Sequence, residues 1–183
     1  MRKIVGFLIV TFLMLALLCV VASAETTVDL LAGQDILAGT VTVSYDGVEL
    51  CVTYETIDGW ELVETHWAIA TSSGDIPQTK KGNPKVGHFP YGDDELGEYD
   101  AEDNLIGGDD SYEECIEIEL EAGIYIIAAH ASLLNLDNIV GYVPETDPAV
   151  PIYQEETGWG EGNEFADDRN WAMYFTFEVV VAP

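Results

Sequence analysis

The stretch Thr40-Val41-Thr42-Val43-Ser44-Tyr45-Asp46-Gly47-Val48-Glu49-Leu50-Cys51-Val52-Thr53-Tyr54-Glu55 decides the fold class. Val41, Val43 and Tyr45 alternate with Thr40, Thr42 and Ser44, the period of a strand with one buried face. Asp46-Gly47 then marks a tight hairpin, because a turn that matches strand twist needs positive φ. The returning strand places Val48, Leu50, Val52 and Tyr54 on one face and Glu49, Cys51, Thr53 and Glu55 on the other.

The same alternation extends in both directions. Asp58-Gly59 marks the next turn, ahead of a strand over residues 60–70. There Val63, Thr65, Trp67 and Ile69 are expected on one side, with Leu62, Glu64, His66 and Ala68 on the other. Residues 115–120 alternate Cys115, Glu117 and Glu119 with Ile116, Ile118 and Leu120. After Ala122-Gly123, residues 124–133 form an almost unbroken apolar run, the mark of a strand covered on both faces. Residues 171–181 alternate again through Trp171, Met173, Phe175, Phe177 and Val179. Shorter strands are expected near 34–37 and, at an edge because of Pro90, near 87–91. No stretch carries a helical period with caps.

Seven to nine strands linked by Gly, Pro and Asp loops predict an all-β chain, an antiparallel β-sandwich of immunoglobulin-like or jelly-roll-like kind. A closed barrel is the alternative. Two acidic segments, 92–111 and 137–168, read as long loops within one domain spanning residues 25–183.

Ahead of that domain, Arg2 and Lys3 precede an apolar run over residues 4–21 and the small-residue site Ala22-Ser23-Ala24. This is the layout of a signal peptide over residues 1–24. Eighteen apolar residues also approach the length of a membrane span, so an uncleaved anchor is the alternative, and the only route to a membrane. Cys19 does not read as a lipid attachment site, because Leu18 stands where a small residue belongs. The chain is therefore expected to be secreted or held at the cell surface.

Charge narrows the partners. Of 183 residues 34 are acidic and 6 basic, a net −28; without residues 1–24 the balance is 34 against 4, or −30. Residues 86–168 contain no Lys or Arg, while Lys80, Lys81 and Lys85 cluster just before them. Such a field repels nucleic acid and attracts cations, Ca²⁺ among them. The apolar content of 48% excludes a disordered acidic tail.

Catalytic signatures are missing: there is no G-x-S-x-G, H-E-x-x-H or P-loop. Asp100, Glu102 and Asn104 alternate as in an EF-hand, but Leu105 stands where that loop needs Gly. Glu64 and His66 project together from one strand face, and His130 lies in an apolar strand. With a carboxylate, such a His pair suits Zn²⁺, Cu²⁺ or acid–base chemistry; the competing reading is a buried hydrogen bond for each imidazole. Trp159, flanked by Gly158 and Gly160 and followed by Glu161, is either a stacking platform for a sugar ring or a ring folded back into the core. Cys51 and Cys115 can form a disulfide only if their strands are neighbours.

Several segments together resemble a module of secreted archaeal and bacterial cell-surface proteins of uncharacterised function. They are Glu64-Thr65-His66, Pro77-Gln78-Thr79-Lys80 with Gly82-Asn83-Pro84, Ala128-Ala129-His130-Ala131, Glu156-Thr157-Gly158-Trp159-Gly160, and Asn170-Trp171-Ala172 with Tyr174-Phe175. The resemblance implies an exported β-rich module and brings no catalytic residues with it. The leading expectation is a non-enzymatic surface, adhesion or ligand-binding module whose partners are cations and a cell-surface polymer or protein. One alternative is a Ca²⁺-dependent carbohydrate-binding domain using Trp159 and Glu161. The other is a metal-dependent enzyme or transition-metal protein centred on Glu64, His66 and His130.

Overall fold

The computed structural model describes residues 23–144, 146, 148–166 and 170–180. Residues 1–22 of the expected signal segment 1–24 lie outside them, and its last residue, Ala24, opens the first strand. Among the described residues no helix is long and apolar enough to cross a membrane.

The described residues form twelve strands, in chain order β1 (Ala24–Ala32), β2 (Ile36–Tyr45), β3 (Glu49–Thr56), β4 (Trp60–Ala70), β5 (Tyr91–Asp93), β6 (Glu98–Tyr99), β7 (Leu105–Gly107), β8 (Ser111–Glu117), β9 (Gly123–Tyr142), β10 (Pro151–Gly160), β11 (Asn163–Glu164) and β12 (Met173–Val179). Eight of these have seven residues or more, and the four short ones, β5, β6, β7 and β11, carry the number beyond the seven to nine expected.

The β2–β3 hairpin forms as its alternation dictates, with Val43 opposite Val52 and Val41 opposite Tyr54. At its tip Gly47 takes φ +96°, and the Asp46 carboxylate accepts the backbone N–H groups of Val48 and Glu49 at 2.8 Å each. These bonds hold the Asp46 carboxyl below the usual carboxylate range. Val48 belongs to this turn and is exposed, so the inward face of the returning strand starts at Leu50.

Every strand pair is antiparallel, and ten strands share one sheet. From β8 it runs through β3, β2, β1, β10, β9 and β4 to β5. β9 is long enough to pair first with β12 and then with β10, while β4 also pairs with it from Ile126 to Asn135. The sheet then curls on itself. Leu62 of β4 exchanges two backbone hydrogen bonds with Asp109, at 2.8 and 3.0 Å, and Thr56 at the end of β3 donates to Asp110. Inside this seam Trp67 Nε1 donates to the Glu114 carboxylate at 2.9 Å.

The outcome is one nearly closed, barrel-like sheet in place of two facing sheets. Periodicity assigns faces but not partners, and the continuous ladder β1–β10–β9–β4 joins strands that a sandwich would divide. Three local expectations also change. Segment 137–168 is not a loop throughout, since it holds the end of β9 and all of β10; segment 92–111 carries the small β6–β7 hairpin. β1 had no counterpart in the sequence reading. Residues 86–88 form a 3₁₀ turn, and the edge strand starts later, at Tyr91.

The interior is filled by Val41, Val43, Leu50, Val52, Tyr54, Trp67, Ile127, Leu133 and Phe177, all at most 1% exposed. Burying each large side chain contributes about 1.5–3 kcal/mol. A second apolar cluster lies on the outside of the sheet, where Ile76 and Phe89 cover Ala68, Ala128 and Trp159. This cover is why β9 reads as apolar on both faces.

Candidate metal centre

A bulge in β4 sets the site. The pairing with β9 shifts between Leu62 and Glu64, leaving Val63 as the extra residue. Leu62 is thereby turned into the core beside Trp67, not outward with Glu64 as strict alternation suggests. Beyond the bulge Glu64, His66 and Ala68 share the outer face.

Register then aligns functional side chains across three strands. His66 of β4 lies opposite His130 of β9, which lies opposite Trp159 of β10. Directly opposed antiparallel residues point to the same side, so all three side chains stand on the outer face. The adjoining row is Glu64, Ser132 and Thr157. Ser132 Oγ donates to Glu64 Oε2 at 3.3 Å, holding that carboxylate in place.

Asp94 arrives from the other side. Gly92 of β5 lies opposite His66 with φ +132°, and a Cβ there would sit 1.9 Å from the Thr65 carbonyl oxygen. Only glycine allows β5 to lie this close, which delivers Asp94 to His66. The Asp94 carboxylate meets His66 Nε2 at 2.8 Å. Asp94 is 75% exposed, so as an ion pair this contact adds little stability. Its value is positional: one ligand atom each from Glu64, His66 and Asp94 lies within 4.8 Å of the others.

His130 borders this cluster. It is 8% exposed, its ring lies 6.0 Å from that of His66, and the Trp159 indole meets it edge-on at 5.0 Å. Burial, and secondarily the neighbouring His66, push the His130 imidazole down to about 3, so it stays neutral at ordinary pH. Nδ1 of both histidines is buried without a hydrogen-bond partner among the described residues. From inside the barrel Tyr54 donates to the His66 carbonyl at 3.2 Å, tethering the strand beneath the site.

Beside the cluster lies an open cleft of about 450 Å³ lined by Glu64, Ser132 and Thr157 below, and by Tyr99, Asp103 and Leu105 of the β6–β7 hairpin. Asp100 closes that hairpin by accepting from the backbone of Glu102 and Asn104, and from the Asn104 amide. The alternation that resembled an EF-hand thus shapes a turn.

Of the residues singled out in the sequence, Glu64, His66 and His130 come together. Trp159 joins them as packing: at 4% exposed it offers no stacking platform. Its flanking glycines leave room for neighbouring side chains, since a Cβ on Gly158 would meet Leu133 at 2.6 Å and one on Gly160 would meet Phe175 at 2.8 Å. Glu161 is exposed beyond β10 and is not among the clustered donors. His88 lies exposed in its turn. Cys51 and Cys115 are directly opposed on β3 and β8 and are disulfide-bonded. Asp94 was missed because nothing in the sequence separates it from its many acidic neighbours; its one signal is the glycine two residues earlier. Comparison with protein-family models, curated proteins and solved structures finds no match to the chain.

Proposed function

We propose that residues 1–24 direct export and are then removed, and that the remaining single domain is a non-enzymatic cell-surface module that binds a divalent cation through Glu64, His66 and Asp94. The observation that carries this reading is the convergence of three ligand atoms within 4.8 Å, two from β4 and one from the turn after β5, 28 positions beyond His66. Two supports come from the sequence: the net −30 of the mature chain raises the local concentration of cations, and the resemblance to exported surface modules fits a leader followed by a β-rich domain. The cleft beside the site leaves the bound ion accessible to a surface polymer or protein.

Calorimetric titration of the exported chain with Zn²⁺, Cu²⁺ and Ca²⁺, together with its intact mass, tests the proposal. The expected result is a chain starting at Glu25 that takes up one ion, with uptake lost in the double variant Glu64→Gln, Asp94→Asn. A chain that keeps residues 1–24 would refute the processing step. Failure to take up any of the three ions would refute the cation site.

A further inference from the structure

We infer that His130 supplies a second imidazole to the ion held by Glu64, His66 and Asp94, making this a site for Zn²⁺ or Cu²⁺ rather than Ca²⁺. The inference rests on the cation-site reading above and adds a ligand and a metal class to it.

Geometry is the first argument. His66 and His130 are cross-strand partners on one face, with ring centres 6.0 Å apart. Two imidazoles bonded to one ion at about 2.0–2.1 Å place their ring centres roughly 5–6.5 Å apart. The observed spacing falls within that range, so little movement is needed. His66, with 13% of its side chain exposed, sits between His130 and Asp94 and can reorient as an ion enters.

The second argument is hydrogen-bond accounting. Buried polar nitrogens nearly always have a partner, and leaving one without costs about 1–3 kcal/mol. Here His130 Nδ1 is such a nitrogen, on a side chain directly opposite His66. Two isolated structural histidines would each be expected to find a carbonyl or carboxylate. An ion held beside it by His66, which meets Asp94 through Nε2, explains why His130 does not.

Ligand chemistry gives the third. Two imidazoles with two carboxylates form the mixed nitrogen–oxygen set that Zn²⁺ and Cu²⁺ favour, whereas Ca²⁺ takes six to eight oxygens. The surroundings are those of a built site: Trp159 packs edge-on against His130, and Ser132 orients Glu64.

Cu²⁺ electron paramagnetic resonance on the full exported chain reads the number of bound nitrogens directly, without any variant. Two nitrogens are expected, falling to one in His130→Gln, with at least a tenfold weaker Zn²⁺ affinity in that variant and an unchanged far-ultraviolet circular dichroism spectrum. Excess Ca²⁺ should not displace the bound Zn²⁺. A single nitrogen in the unmodified chain, with His130→Gln binding Zn²⁺ as well as the parent, would overturn the second ligand while leaving the Glu64–His66–Asp94 site standing. Displacement by Ca²⁺ would overturn the metal class. Absence of any Zn²⁺ or Cu²⁺ uptake would defeat this inference, and the Ca²⁺ titration above then decides whether the cation site itself survives.

Discussion

Along β3 and β8 the outward side chains are Cys51, Thr53, Glu113 and Cys115, and water reaches most of them. Along β4 and β9, on the outside of the same sheet, they are Ala68, His66, Ala128 and His130, and chain folded over the sheet covers much of them. The first face needs only a polar surface, and Thr53 Oγ1 simply donates to Glu113 across the ladder at 2.9 Å. The second is an interior in its own right, and it ends abruptly. Ala128 is packed under Phe89 and Ile76, His130 is at the margin, and Ser132 opens into the cleft. An ion site needs both protection and access, and the margin of the second core is where this sheet offers them together.

The strongest test of this contrast is to empty one face and not the other. Trp159→Ala removes the largest ring of the outer cluster and should cost about 3–5 kcal/mol in urea unfolding. Thr53→Ala on the open face should stay within about 0.5 kcal/mol. Similar costs for the two would mean that the outer cluster is not a core.

The open face has a different anchor. The Cys51–Cys115 bond closes a separation of 64 residues, and its removal by Cys51→Ser with Cys115→Ser should lower stability by about 2–4 kcal/mol. The unfolding midpoint of the parent chain should fall similarly in reductant, while that of the double variant should not move. A parent chain insensitive to reductant would show that the strand ladder alone secures β8.

A test of a different kind, read across pH, concerns His130 in chelator-treated protein. The unfolded chain binds its proton as pH falls through about 6.5, whereas the native chain resists protonation until about 3. Between these values the unfolded state holds more protons, so this contribution is complete above about 6.5 and declines on acidification. The parent should therefore lose stability faster than His130→Gln between those pH values, by up to about 1.4 kcal/mol per unit. Parallel profiles would show that burial does not keep this imidazole neutral.

What the sequence makes legible follows from the same contrast. The β2–β3 hairpin and β12 alternate openly and were readable, because one side of each meets water or a thin cover; β8 was read only over its last three residues, 115–117, and starts earlier, at Ser111. β10 was not: Pro151, the paired glutamates and the glycines around Trp159 have the composition of a loop. The glycines in fact make room for Leu133 and Phe175, residues far from them in sequence. β1 was hidden by its polar alternation. For the site, the Glu64–His66 spacing marked a shared face, and His130 stood out in an apolar strand. Their meeting depends on a register that a bulge at Val63 adjusts, and Asp94 depends on a close approach permitted at Gly92. Neither is a pattern within one segment.

The ladder also sets an order of assembly. β1 finds β2 within a few residues, but its other edge pairs Leu30 with Gly160, 130 positions later. Until β10 is present, Leu30, Leu31 and Ala32 lack their partners on that edge, and such long-range closure is the slow kind. For a chain made from its N-terminus, the barrel is completed only when nearly the whole length is available. The first strand to emerge is thus among the last to be fully paired.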